Sequence, residues 1–481
     1  MMLDPVWTGL WLSLCAALLA IPGLIHARRH RDTLEDYITA RNSQNTRATV
    51  LTLVATTLGT WILFGPAQAA TWGGIGAILG YALGSMVPRL VMIPLGQRMR
   101  DLIPDGHGLT EFVIHRYGRV MYAFTLVIML FYLFILLAAG LTAVARMVAL
   151  LAPIPLWVTA STVMAATLIY TFYGGLRASI YTDKLQMIVI APMLGLLLVF
   201  GWQAAGGAAP TLAGLRETAP HLLQIGDTGG LRAGVTFFLA VALTGLFYQG
   251  TWQRIYAARD ARVLRRGFWI SGVCNFVVVG LMGLFGLAFV GLGLDGDGSV
   301  ALFSVLLAEV PMWFALALIP LGLALVMSSA DSTISATSSI IAVDMGRLMS
   351  GAADRTLMTL ARWLIVVAAV PVTWVAAQGY SVLYLFLLAD LLCSAAAFPV
   401  FFGLFHRRYT GFNAAISTGC GLIAGLAMFP APGAGTATLL ESFLLAALVP
   451  VGVSLVLLRL LPERAAFDFS LLGASVRRFR G

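Results

Sequence analysis

The sequence predicts an all-α polytopic membrane protein of thirteen transmembrane helices, N-terminus out and C-terminus in, and three observations carry that reading. Of the 481 residues, 60% are hydrophobic and only 11% charged, a composition far from that of a soluble domain. A helix needs about 20 apolar residues to cross the hydrocarbon core, so this length accommodates about a dozen spans with short connections and no appended soluble domain. The basic residues, finally, fall on alternate connections.

The net charge of +9 resembles a nucleic-acid footprint only until its carriers are placed. Predicted cytoplasmic segments hold Arg28, Arg29, Arg31, Arg41 and Arg47, then Arg98, Arg100, Arg116 and Arg119, then Arg177 and Lys184, then Arg254, Arg259, Arg262, Arg265 and Arg266. Later ones hold Arg347 and Arg355, Arg407 and Arg408, and the tail Arg464, Arg477, Arg478 and Arg480, whereas the outside loops hold only Arg216 and Arg232. This is the positive-inside pattern, so the lipid bilayer rather than nucleic acid is the partner. Arg89 and Arg146 fall inside spans near their ends, where snorkelling accounts for both. The four cysteines, Cys15, Cys274, Cys393 and Cys420, lie in apolar segments and read as buried free thiols. All six histidines lie outside the predicted spans, which argues against an intramembrane histidine relay.

Taken in order, the first segment, Val6 to Ile25, has Asp4 before it and Arg28, Arg29 and Arg31 after it, the reverse of a signal peptide's charge order. Further spans lie near residues 48–70, 73–95, 119–150, 155–172, 184–203, 233–256, 267–293, 312–344, 357–377, 380–405, 410–428 and 438–458. The second span carries Gly59, Gly65 and Pro66, able to break helical bonding. The seventh carries Gly245 and Gly250 within Thr244-Gly-Leu-Phe-Tyr-Gln-Gly-Thr-Trp-Gln-Arg254. Because an odd number of spans separates their starts, the two broken helices enter the membrane in opposite senses, the mark of two inverted five-helix repeats with a site at the bilayer midplane. In the third span, Gly76, Gly80 and Gly84 form a ridge suited to close helix packing. Asp295-Gly-Asp-Gly-Ser299 lacks the later ligands of a calcium loop and reads as a turn. Met327 to Ser339, crowded with hydroxyls around Asp331, lies within an apolar span; it either meets a cation or solute or lets two helices approach closely.

Tyr170-Thr-Phe-Tyr-Gly-Gly-Leu-Arg-Ala-Ser-Ile-Tyr-Thr-Asp-Lys-Leu-Gln186 resembles the signature of the sodium:solute symporter family. Leu109-Thr-Glu-Phe112 with Arg116-Tyr-Gly118, Trp252-Gln-Arg254 and the serine stretch ending in Asp344 add to the resemblance, which runs from about residue 45 to 350. It implies the LeuT-like 5+5 inverted-repeat fold and alternating access. The expected organisation is an additional helix and cytoplasmic loop over 1–45, the first repeat (spans 2–6) over 46–204, an external loop and the second repeat (spans 7–11) over 205–406, and spans 12 and 13 with a cytoplasmic tail over 407–481.

The resemblance further implies a sodium site made by backbone carbonyls of Ala55, Leu58 and Leu325 and the hydroxyls of Ser328 and Ser329, and a role for Asp183 in sodium passage. Without the resemblance, Asp183 is an ordinary interfacial carboxylate beside Lys184. All-oxygen ligation suits a hard monovalent cation, so Na+ is the co-transported ion, with no transition metal and no organic cofactor. Where members similar to proline carriers have an aspartate near the break, this chain has Thr57. Asp331 compensates as an added cation ligand or a proton acceptor, and Asp390 is the other deep acid; the alternative for each is satisfaction by neighbouring hydroxyls or a snorkelling arginine.

The expected solute pocket lies between the broken helices, lined by Trp61, Phe64, Gln68, Tyr248, Gln249 and Trp252. With no basic side chain among them, a neutral, zwitterionic or cationic organic solute is favoured over an anion. The expectation is therefore no enzyme but a sodium-coupled secondary active symporter, multi-pass in a bacterial-type plasma membrane. The alternatives are a proton-coupled symporter of the same fold and a transporter-like solute sensor; about 20 residues after the last span argue against the sensor.

Overall fold

The computed structural model describes residues 3–29, 33–307, 310–349, 351–432, 435–460, 466–474 and 476. Arg31, Arg464, Arg477, Arg478 and Arg480, used above to assign sidedness, lie outside the described residues.

In chain order the first helices are α1 (Pro5–Arg29), α2 (Leu34–Ile38), α3 (Thr46–Thr57), α4 (Gly65–Leu102), α5 (Leu109–Tyr117), α6 (Arg119–Leu151) and α7 (Leu156–Ala204). There follow α8 (Ala208–Thr218), α9 (Thr228–Thr244), α10 (Gln249–Ala257), α11 (Ala261–Gly291), α12 (Ala301–Leu306), α13 (Met312–Leu348) and α14 (Asp354–Ala377). The remaining four are α15 (Val382–Phe402), α16 (Gly411–Met428), α17 (Leu439–Leu460) and α18 (Ser470–Ala474). Since α1 runs on to Arg29, past the predicted end of the span at Ile25, it carries His26, whose imidazole stacks on Tyr181 at 4.2 Å.

Ten described helices are long and apolar enough to cross a membrane, or eleven if α9 and α10, bent by 54°, form one broken span. The predicted count of thirteen differs because two predicted boundaries fall inside continuous helices. The 38-residue α4 bends at Gly74 (φ 55°), and the 49-residue α7 bends at Gly175 (φ 49°). Both need the left-handed conformation that glycine adopts without a Cβ clash.

Enclosure separates core from periphery. α13 and α15 bury 72% and 78% of their most apolar stretches, whereas α17 buries 22%. On α14, Trp363, Val367, Val370 and Trp374 recur at helical spacing and are exposed, an apolar outward stripe that suits lipid and not water. The glycine ridge does what its spacing predicts: a Cβ at Gly76 or Gly80 would run into the backbone of Gly230 or Gly234, so α4 and α9 touch main chain to main chain. The Asp295–Ser299 segment is a turn, with Asp297 capping the Ser299 N–H at 2.8 Å. All four cysteines are free thiols, Cys15 and Cys393 buried and Cys274 and Cys420 half-buried.

Candidate functional site

α3 stops at Thr57 with Leu58 as its C-cap (φ −78°, ψ 70°). The Leu58 N–H still reaches Val54 C=O at 2.8 Å, but the Gly59 N–H turns to Thr57 C=O at 2.9 Å. Ala55 C=O, which a continuing helix would bond to residue 59, is thereby released. Ser328 Oγ, from the middle of α13, donates to it at 2.7 Å. Ser329 Oγ sits 3.1 Å from both Leu325 C=O and Val326 C=O. A Cβ on Gly59 would stand 3.0 Å from that hydroxyl, so the two elements approach closely here and an added methyl would displace the Ser329 side chain by a few tenths of an ångström. Ala55, Leu58, Leu325, Ser328 and Ser329 thus meet at one junction, none more than 8% exposed.

One turn along α13 lies a second polar cluster. Asp331 is wholly buried and accepts hydrogen bonds from Tyr170 Oη at 2.8 Å, Ser179 Oγ at 2.7 Å, Thr182 Oγ1 at 2.8 Å and Ser332 Oγ at 3.2 Å. Asp183 is also wholly buried rather than interfacial. It accepts from the Thr52 hydroxyl and pairs with Arg254 Nη2 at 3.1 Å. Arg254 in turn donates to Ser332 Oγ at 2.7 Å and Thr52 Oγ1 at 2.9 Å. The Tyr170–Gln186 motif is therefore the Gly175 bend together with the donors that hold Asp331. The Arg116-Tyr-Gly118 motif is a dock: Arg116 Nε reaches Gly403 C=O at 3.0 Å and Tyr117 Oη reaches Pro399 C=O at 2.8 Å.

The second break, between α9 and α10, faces a cavity of about 100 Å³. Its walls are the aromatics Trp61, Tyr81, Tyr132, Tyr248 and Phe386, the hydroxyls of Thr56, Thr57, Ser85, Thr244 and Thr251, and two charged side chains, Arg89 and Asp390. Trp61 stacks on Tyr81 at 5.6 Å and tilts against Phe386 at 6.2 Å. Each break carries a tryptophan whose indole N–H satisfies a carbonyl beside it: Trp61 Nε1 to Thr57 C=O at 2.8 Å, and Trp252 Nε1 to Leu246 C=O at 2.9 Å.

Of the six predicted pocket residues, Trp61 and Tyr248 line this cavity and four do not. Trp252 is fully buried and stacks on Phe401 at 6.2 Å. Gln249 points away, its Nε2 donating to His107 C=O at 2.9 Å. Phe64 packs on Phe303 at 5.1 Å, and Gln68, one turn beyond it in α4, bonds through its backbone N–H to Phe64 C=O at 2.9 Å. The expectation that no basic side chain borders the pocket is corrected by Arg89. It does not snorkel: it is 8% exposed, its Nη1 donates to Thr251 Oγ1 at 2.9 Å and its Nη2 to the Thr57 hydroxyl. Because α4 runs to Leu102 and not to 95, Arg89 lies about 20 Å from the helix end at 1.5 Å per residue, out of a side chain's reach. Arg146, by contrast, is near its helix end and pairs with Asp297 at 3.5 Å, as a snorkelling residue would. Tyr81, Tyr132 and Phe386 carry no sequence signal beyond being aromatic in a span.

Outside the spans, His107 bridges two acids, with Nε2 2.8 Å from Glu35 Oε2 and Nδ1 3.1 Å from Glu111 Oε1. Arg41 pairs with Glu35 at 2.8 Å, and Arg347 lies 3.9 Å from Glu111. Burial works against charge on His107, but the two carboxylates outweigh it and raise its pKa from 6.5 to about 9. Burial would raise the pKa of Glu35 and Glu111; the imidazolium, with Arg41 and Arg347, outweighs it and lowers both.

A sequence model described as Sodium:solute symporter family matches residues 37–425. The chain is 25% identical over 402 residues to the spermidine transporter DUR31 of Candida albicans, covering 82% of this chain and 75% of that one. It is also 25% identical over 359 residues to the high-affinity proline transporter PutP of Bacillus subtilis, covering 70% and 74%. Among solved structures, a substrate-bound, outward-open Na+-coupled sialic acid symporter superposes with a TM-score of 0.76 at 19% identity, covering 96% of this chain and 99% of that one. MhsT in complex with L-phenylalanine superposes with a TM-score of 0.53 at 14% identity, covering 85% and 97%. These likenesses place the chain in the LeuT-like fold.

Proposed function

The chain belongs to the sodium:solute symporter family, as an integral multi-pass plasma-membrane protein, and on that premise we propose that it is a secondary active symporter that imports sodium together with a small organic solute. The observation that carries the reading is the junction where the break in α3 releases Ala55 C=O against the Ser328 hydroxyl. With the hydroxyl hydrogens turned away, Ser328 and Ser329 and the carbonyls of Ala55, Leu58 and Leu325 present oxygens only, which favours a hard monovalent cation. The solute cavity borders the same break through Thr56, Thr57 and Trp61, so ion and solute share one element, as coupling requires.

The kinks at Gly74 and Gly175 each let one continuous helix serve two spans. Dividing the helices there, and joining α3 to the start of α4 and α9 to α10, supports the reading of thirteen spans, and the basic connections support an N-terminus outside. One charge falling through about 100 mV yields about 2.3 kcal/mol, and a tenfold sodium gradient adds about 1.4 kcal/mol. Together these support accumulation of several hundredfold, by roughly tenfold per 1.4 kcal/mol.

The test is uptake into proteoliposomes under an imposed sodium gradient. Replacing both Ser328 and Ser329 with alanine is expected to abolish sodium-driven accumulation; uptake indifferent to sodium, or to that double substitution, overturns the assigned site. One observation favours a second reading, proton coupling. The buried cluster holds two carboxylates, Asp183 and Asp331, against one guanidinium, Arg254, so one more positive charge balances it. Accumulation driven by a pH gradient in sodium-free vesicles would establish that alternative.

A further inference from the structure

Arg89 and Asp390 line the same cavity, are 8% and 5% exposed, and have no partner of opposite charge within 4.0 Å among the described residues. An ionisable side chain buried without a counter-charge is costly to ionise, and here there are two, of opposite sign when ionised, on one small chamber. Arg89 is aimed by its bonds to Thr251 and Thr57, one residue from each broken helix. Asp390 stands on α15, and Tyr132 lines the cavity with both. The wall beside Trp61 is aromatic, with Tyr81 stacked on it and Phe386 tilted against it, the surroundings in which an alkylammonium gains cation–π attraction.

We propose that the cavity selects a small zwitterion, its ammonium held by Asp390 and the aromatic rings and its carboxylate by Arg89. This rests on the symporter reading only in taking the cavity for the solute site. A monoanion would meet Asp390, and a monocation would leave Arg89 uncompensated. A polyamine of several positive charges would bring like charge against Arg89, so such a solute is disfavoured here even though a spermidine transporter is among the relatives.

The experiment is equilibrium binding to the purified full chain in sodium, measured by thermal shift and calorimetry. The panel comprises the proteinogenic amino acids and glycine betaine, each beside its decarboxylated amine and its N-acylated or deaminated acid, with spermidine and urea added. A zwitterion is expected to bind best and both single-charge analogues at least about thirty-fold more weakly, the lower bound for losing one partner of a buried charge pair. Arg89→Gln should narrow the gap to the amine and Asp390→Asn the gap to the acid. If no zwitterion binds, or if spermidine, urea or a single-charge analogue binds as tightly as the best zwitterion, the proposal fails on the wild-type panel alone, whether or not the variants fold. Repeating the measurement in potassium separates the two readings: zwitterion binding that ignores sodium defeats the coupling and leaves the selectivity standing.

Discussion

Replacing His107 with glutamine should remove a pH dependence that the wild-type protein possesses. The imidazole is held between Glu35 and Glu111, with Arg41 and Arg347 facing those acids from the other side. An unfolded histidine releases its proton near 6.5, whereas the folded one keeps it to about 9. Between those values the native state binds more protons, so raising the pH weakens it. The stabilisation is complete below pH 6.5 and is lost as pH rises through about 9; the change in pKa corresponds to roughly 3 kcal/mol. The assay is thermal melting of the detergent-solubilised protein, followed by tryptophan fluorescence from pH 6 to 10. Wild type should lose melting temperature across that range and His107→Gln should stay comparatively flat. Parallel profiles would mean that another group titrates, and would refute the reasoning. On the acid side, Glu35 and Glu111 have lowered pKa values, so their contribution is present above the usual 4.5 of a glutamate and fades as pH falls below it.

Two further outcomes follow from buried partners. Arg254→Met leaves Asp183 wholly buried without its counter-charge and should cost about 3–5 kcal/mol; adding Asp183→Asn should recover much of the loss in a melting experiment, and an additive double mutant would contradict the pairing. Trp252→Phe keeps the ring against Phe401 but removes the donor to Leu246 C=O, with an expected cost of about 1–3 kcal/mol. A variant as stable as wild type would show that the broken helix does not depend on its indole.

What could be read from the sequence was whatever rests on hydropathy and on backbone chemistry. The apolar runs gave the helices, Gly59 and Gly245 marked the two breaks, and Gly76 and Gly80 anticipated a backbone contact, because each of these signals is local. The run from Met327 to Ser339 stands out as hydroxyls in an apolar span, an anomaly visible without knowing their neighbours, whereas singling out Ser328 and Ser329 within it rests on the family resemblance. Side-chain direction was not legible. Gln249 and Trp252 belong to the predicted break, yet the turn that exposes Tyr248 to the cavity sends Gln249 to His107 and Trp252 to Phe401. The place of Arg89 is hidden from the sequence because an apolar window ends where polarity begins, near residue 95, while the helix itself continues to Leu102. Three of the four partners of Asp331 come from two stretches of α7 on either side of a bend, and no spacing rule links Tyr170 to Thr182 through Gly175.

The seam between α4 and α9 has a mechanical consequence. Where Gly76 and Gly80 meet Gly230 and Gly234, there is no side chain to repack, so the contact has no second rotameric arrangement into which it can slip. The two helices are in effect welded. Arg89 rides on one and the strand of backbone leading into Gly245 is the continuation of the other, and both are therefore carried by the same stiff block. Asp390 is mounted on a different helix. Any rocking of α15 against the block would thus act like the jaws of a caliper, changing the gap between the two opposite charges without deforming either mounting.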